Sequence, residues 1–433
     1  MIFGIISRCP QTGKVIFSLL ILPNMKFLTL DSFDLRGKRV FVRLDINSPI
    51  GDNGEILDDS RIRASLPTLR DLAESKVVII AHQGRVGKKD FTSLENHANL
   101  LVEHLGKEVK FTGGLLDKNT LKEIENLRDG EILMLENIRF YAEETSLKED
   151  KMERSYILKK LLPYVDYYVN DAFSAAHRAQ LSLIAFAKHR PMLAGRLMEK
   201  ELKGLGRFLS MEERPKIMIL GGAKIEDSIK VARNMLEKNI VDYILTGGVV
   251  ANVFLKASGK DIGKENEDFL TREYEDIENL VKIARDLMEK YGERILIPED
   301  VIINENSRPK EVDVSSLPNY GDFPIWDIGP RTIERYSEII REAKGIGING
   351  PMGVYEKEGF ETGTRRIFEA VASSQAYSVA GGGHTINALN KFNLFNKISH
   401  VSMAGGALIT YLSGGRMPVI EALEESYKRF GGE

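Results

Sequence analysis

Apolar runs of strand length alternate with amphipathic stretches of helix length along the whole chain, and the runs end differently in its two halves. In the first half they stop at arginine or histidine. Phe41-Val42 leads into Arg43-Leu44-Asp45-Ile46-Asn47, residues 77–81 into His82-Gln83-Gly84-Arg85, and residues 132–135 into Glu136-Asn137-Ile138-Arg139. Residues 167–169 lead into Asn170-Asp171-Ala172-Phe173, with His177-Arg178 close behind. In the second half the runs stop at glycine. Residues 217–220 meet Gly221-Gly222-Ala223-Lys224, and residues 243–245 meet Thr246-Gly247-Gly248. Residues 377–380 meet Gly381-Gly382-Gly383-His384-Thr385, and residues 401–403 meet Ala404-Gly405-Gly406.

Between these runs, residues 61–75 place Ile62, Leu66, Leu69 and Leu72 at helical spacing, and residues 225–238 and 271–291 read the same way. The alternation predicts an α/β protein with parallel sheets covered by helices on both faces. Asp52-Asn53-Gly54 reads as the turn of a small hairpin after Asn47-Ser48-Pro49. At 433 residues the chain exceeds one typical core, so two doubly wound domains are predicted, with a boundary near Pro191. Residues 192–209 have helical spacing, and a single hinge helix there would join residues 25–191 to residues 192–417.

Composition narrows the chemistry. Apolar residues make up 43% and charged residues 28%, the values of an ordinary globular protein. A net charge of −3 gives no global footprint for nucleic acid, so any anion site must come from local clustering of arginines. The single cysteine, Cys9, excludes an intrachain disulfide framework and fits a reducing, cytoplasmic setting. The apolar stretch at residues 15–22 is too short to span a bilayer, and no small-x-small cleavage site follows it. Residues 1–24 are read as an extension without assigned function, with Met25 as the natural start of the domain.

Arginine forks grip phosphate and carboxylate oxygens in pairs. Carried at the carboxyl ends of strands, where open α/β sheets bind ligands, Arg85, Arg139 and Arg178 suit a small, highly anionic ligand. Asp45 and Asn47 lie on the same rim, although Asp45 could simply pair with Arg43 or another arginine. His82 and His177 neighbour arginines, which favours positioning over proton transfer. Glycine-ended strands that open helices suit a phosphate chain held by backbone N–H groups, with Lys224 within reach of a transferring group. The alternative for these glycines is tight turns alone. No P-loop spacing is present. Gly345-Ile346-Gly347-Ile348-Asn349-Gly350 fits the dinucleotide pattern literally, but a helix precedes it, and residues 346–349 read as the strand itself.

In this order the motifs resemble the phosphoglycerate kinase family over nearly the whole chain from Met25. Arg43-Leu44-Asp45-Ile46-Asn47-Ser48-Pro49 is similar to the family's R-V-D-x-N-x-P pattern. Residues 60–64, His82-Gln83-Gly84-Arg85, residues 135–140, Asn170-Asp171-Ala172-Phe173 and His177-Arg178 continue the series. Gly221-Gly222-Ala223-Lys224, residues 349–356 and the triple glycine at Gly381 match the nucleotide side. The resemblance implies two Rossmann-like domains. The first would bind 3-phosphoglycerate or 1,3-bisphosphoglycerate, the second would bind ATP or ADP with Mg²⁺, and residues 418–433 would return to the first. It implies that Asp45, Ile46, Asn47, His82, Gln83, Gly84, Arg85, Arg139 and Arg178 hold the phosphoglycerate. Arg61 and Lys224 would neutralise the phosphoryl group in flight. Gly221, Gly222, Gly247, Gly248, Asn349, Pro351, Val354, Glu356, Gly382, Gly383, His384 and Thr385 would line the nucleotide, with Gly405 and Gly406 beside its phosphates.

Three departures bear on this. His384 stands where many members have an aspartate that helps hold magnesium, and neutral histidine is a poor ligand for that hard cation. Ser228 stands where many have lysine, and Ala404 where glycine is common. Nucleotide oxygens, water or a carboxylate such as Asp227 would then hold the metal. A monomer is the expected state and a homodimer the alternative; no nucleic-acid or membrane partner is expected. The rival readings are an NAD-dependent oxidoreductase, resting on the literal glycine pattern, and a non-catalytic sensor of sugar phosphates or nucleotides.

Overall fold

The computed structural model describes residues 25–431. The extension at residues 1–24, with Cys9, lies outside them. The chain divides into two compact units, one made of the residues up to Lys203 together with those from Met417 onward, the other of Gly204–Arg416.

The first unit is built on a seven-stranded sheet: β1 Leu28–Thr29, β2 Arg39–Leu44, β3 Lys76–Ile80, β4 Lys110–Phe111, β5 Ile132–Met134, β6 Tyr167–Asp171 and β7 Met192–Ala194. Their spatial order is β1-β7-β6-β2-β3-β5-β4, and all pairs are parallel. Strands buried on both faces need apolar side chains throughout, which explains why Val40, Phe41, Val42, Val77, Val78 and Ile79 run on without polar alternation. The order of strands reverses between β2 and β6, and at such a reversal open α/β sheets bind ligands at the strands' carboxyl ends.

The second unit holds β8 Lys216–Leu220, β9 Tyr243–Thr246, β10 Ile295–Leu296, β11 Asp300–Glu305, β12 Arg308–Asp313, β13 Ile325–Ile328, β14 Gly345–Asn349, β15 Tyr377–Gly381 and β16 His400–Ser402. Six of them form a parallel sheet in the order β10-β9-β8-β14-β15-β16, with the reversal between β8 and β14. The register pairs Leu220 with Asn349, so Gly221 and Gly350 leave the sheet side by side. The literal dinucleotide pattern at Gly345 is indeed the strand β14. A Cβ on its second glycine, Gly347, would stand 2.4 Å from the Met218 sulfur, so that glycine serves packing inside the unit.

The pattern of residues 52–54 appears as expected: Ile50 and Ile56 form an antiparallel bridge closed by a turn in which Gly54 N–H donates to the Gly51 carbonyl at 3.0 Å. Two sequence expectations change, and one sheet was not foreseen. Residues 192–209 are not one helix; Met192–Ala194 is the strand β7, Gly195 breaks the chain, and the helix is Arg196–Ser210, which runs from one unit into the other. The helix expected over residues 271–291 is two helices, Lys264–Glu273 and Ile277–Tyr291. The antiparallel sheet β12-β11-β13 had no counterpart in the pattern, because Arg308–Asp313 is too charged to alternate visibly.

Candidate functional site

The carboxyl ends of β2, β3, β5 and β6 bring cationic side chains to one face of the first unit. Asn137 organises two of these ends. Its amide nitrogen donates to the Gln83 and Thr92 carbonyls, both at 2.8 Å, and its oxygen accepts the Arg139 N–H at 3.1 Å. Asn47 Oδ1 accepts the Gly84 N–H at 2.7 Å, tying the β2 end to the β3 end. Gly84 has φ 66°, and a Cβ there would meet the Asp90 carbonyl at 2.3 Å, so this turn requires glycine. The Arg139 guanidinium donates to the Gly84 carbonyl, while its Nε is buried with no partner.

The positive charges sense one another. Burial pushes Arg139 down to about 10, and Arg178 and Arg43 add to the push. Burial also lowers Arg178, with Arg85, Arg43 and Arg61 contributing and Asp45 opposing. His82 is driven well below its ordinary value, first by burial and then by Arg43, Arg139, Arg178 and Arg61. His177 is lowered by burial and by Arg178. Guanidinium groups crowded in this way repel, and an anion placed among them relieves that repulsion. Asp45 pairs with Arg61 at 2.8 Å, not with Arg43, and also accepts the Ser174 hydroxyl. Some of the expected residues turn inward. Ile46 is fully buried, and the Gln83 side chain is occupied by Ser48, Asp90 and His97. Arg43 is buried too, and Glu144 and Ser182 beside it carried no signal in the sequence beyond their residue types.

The glycines of the second unit fall into two classes. Gly221, Gly247, Gly350 and Gly353 are packing glycines. A Cβ on Gly221 would stand 2.1 Å from the Pro351 carbonyl oxygen, one on Gly350 2.1 Å from that of Gly221, and one on Gly247 2.6 Å from the Met352 sulfur. Their amides are used as well. Gly221 N–H donates to Asn349, Gly222 to Pro351, Gly247 to Leu220 and Gly248 to Met352. These amides therefore knit the β8, β9 and β14 ends together and are not free for phosphate. Gly383, Gly405 and Gly406 differ, since a Cβ there would meet nothing within 4 Å. They open the helices Gly383–Lys391 and Gly406–Leu412, where first-turn amides lack helical acceptors.

Asn349 Nδ2 is buried without a partner at the β14 end, and Thr385 Oγ1 accepts the Gly350 N–H at 2.8 Å. Val354 donates its N–H to the Trp326 carbonyl at 2.7 Å. Lys224 stands exposed at the start of the helix Ile225–Glu237, and among the described residues it makes no ion pair. His384 Nδ1 lies 3.5 Å from the Glu356 carboxylate, both largely exposed. Among the described residues no three His, Cys, Asp or Glu side chains gather as a metal cage.

A family model described as phosphoglycerate kinase matches residues 30–415. The phosphoglycerate kinase of Thermoplasma volcanium is 50% identical over 406 residues, covering 93% of this chain and 99% of the relative. That of Thermoplasma acidophilum is 48% identical over 409 residues, covering 94% and 100%. The crystal structure of phosphoglycerate kinase from Pyrococcus horikoshii OT3 superposes with a TM-score of 0.82 at 41% identity, covering 93% of this chain and all of that one. Similarity that runs through both units and nearly the full length of each relative leads to one assignment: the chain belongs to the phosphoglycerate kinase family.

Proposed function

We propose that this chain catalyses reversible phosphoryl transfer between 1,3-bisphosphoglycerate with ADP and 3-phosphoglycerate with ATP. The cationic face would hold the phosphoglycerate, and the open glycine helices the nucleotide. The observation that carries the reading is that Arg178, Arg43 and Arg85 act on a buried Arg139 whose Nε has no partner. Uncompensated guanidinium groups are costly without an anion to pair with, and phosphoglycerate supplies carboxylate and phosphate together. On the nucleotide side the reading is narrower than the sequence suggested. Gly382, Gly383, His384, Thr385, Gly405 and Gly406 remain as phosphate donors, with the Asn349 amide, while Gly221, Gly222, Gly247 and Gly248 shape the loops.

The attacking carboxylate needs no base at neutral pH, so positioning and charge stabilisation supply most of the acceleration. The reacting oxygens must come within about 3–3.5 Å. Arg61 and Lys224 would neutralise the transferring phosphoryl group. Magnesium would bring charge neutralisation to the nucleotide phosphates. Among the described residues no cage is preformed, and one carboxylate with nucleotide oxygens and water suffices for this ion. Among the described residues no helix is long and apolar enough to cross a membrane. A coupled assay tests the proposal: ATP-dependent phosphorylation of 3-phosphoglycerate is expected, and NADH is expected neither to bind nor to protect. Absence of turnover with 3-phosphoglycerate would refute it.

A further inference from the structure

Beneath the cationic face lies a chain of polar groups with no access to solvent. Glu144, Ser182 and Arg43 are at most 1% exposed. Ser182 gives both its donors to the Glu144 carboxylate, the N–H to Oε2 and the hydroxyl to Oε1, each at 2.8 Å. The same hydroxyl oxygen accepts Arg43 Nε at 2.7 Å, and the guanidinium lies 3.9 Å from the carboxylate. One further Arg43 nitrogen donates to the Leu44 carbonyl. The last reaches His82 Nδ1 at 2.9 Å.

Arginine only donates, and it keeps its charge at any working pH. Nδ1 of His82 must therefore be the lone-pair nitrogen, which leaves the ring proton on Nε2. Among the described residues no group accepts from Nε2. A buried ion pair is a poor source of stability, since apolar side chains of similar size commonly do as well or better. Fixing a geometry is the better-attested use of such a pair. Cations crowd His82 on several sides, so the ring stays neutral and its tautomer is what matters.

We propose that Glu144, acting through Ser182 and Arg43, is a positioning residue that locks His82 as the Nε2–H tautomer, so that this N–H is offered to the anionic substrate. The inference rests on the reading of this face as the phosphoglycerate site.

Nitrogen-15 NMR of the histidine-labelled full chain without substrate reads the tautomer directly, with His82→Gln identifying the signals. Wild type is expected to show Nε2–H with a lone-pair Nδ1. In Glu144→Gln and, independently, in Ser182→Ala, exchange between tautomers is expected. The KM for 3-phosphoglycerate is expected to rise roughly tenfold while that for ATP stays within about twofold. An Nδ1–H ring in wild type overturns the proposal, as does an unchanged Nε2–H signature in both variants. Tautomer exchange with unaltered 3-phosphoglycerate binding by calorimetry upholds the lock and overturns the assignment of the face.

Discussion

The face proposed for phosphoglycerate in the first unit is built of side chains and that proposed for the nucleotide in the second of main chain, and the two designs store their costs in different places. Arg139, Arg178 and His82 are held in a like-charged neighbourhood that disfavours their cationic forms, so the first face sets stability against binding. The second unit places glycines so close to neighbouring carbonyls and sulfurs that a methyl group cannot enter. Its demands are steric, fall on folding, and separate from the glycines that border open space.

The sharpest test of this division is catalytic. Arg61→Ala is expected to lower kcat by roughly 10²–10³-fold, the scale for removing one preorganised donor to developing charge, with ATP affinity nearly unchanged. Lys224→Ala should reproduce the loss with 3-phosphoglycerate affinity intact. Steady-state kinetics with calorimetry on both variants would break the comparison if each mutation weakened both ligands equally.

A smaller effect separates the two glycine classes. Gly350 has φ 94° and a neighbouring carbonyl 2.1 Å from any added Cβ, so Gly350→Ala should cost about 3 kcal/mol in denaturant unfolding. Gly383→Ala enters open space, so its stability should stay within about 1 kcal/mol while the KM for ATP rises. Equal destabilisation of the two would erase the distinction.

The smallest effect concerns a buried carboxyl in each unit. Burial raises Asp171 to about 6 in the first and Asp327 to about 7 in the second. Asp327 accepts the Gly363 and Ile328 N–H groups at 2.6 and 2.9 Å, which only partly offsets burial. It is protonated when folded and ionised when unfolded between pH 3.8 and about 7, so its contribution falls as pH rises through that window. Asp327→Asn should remove a slope of about 1.4 kcal/mol per pH unit there, read as the change in unfolding midpoint between pH 5 and 6. An unchanged slope would show that another group dominates.

Much of the fold was legible because parallel strands buried on both faces are written as unbroken apolar runs, and these gave β2, β3, β6 and β8 directly. Strands that are short or charged were not legible: Met192–Ala194 merged with the helix after it, and Arg308–Asp313 carries no apolar run. The site was legible as residue types at strand ends, but the direction of each side chain was not. Arg43 and Arg139 stand in equivalent sequence contexts, yet one is sealed beneath the face and the other keeps an unpaired nitrogen. Gly221 and Gly383 both end strands or open helices, and only the space around them tells them apart. Glu144 and Ser182 lie 38 residues apart, so no local pattern could have joined them.

The closing helix Pro418–Phe430 packs on β7, with the Met192 N–H donating to Ser426 at 2.7 Å and the Val419 N–H to Ala176 at 3.2 Å. During synthesis the unit begun first thus lacks one of its elements until residues 418–430 are made, whereas every residue of Gly204–Arg416 precedes them. A chain cut just before residue 418 would keep every residue of the second unit and lack an element of the first.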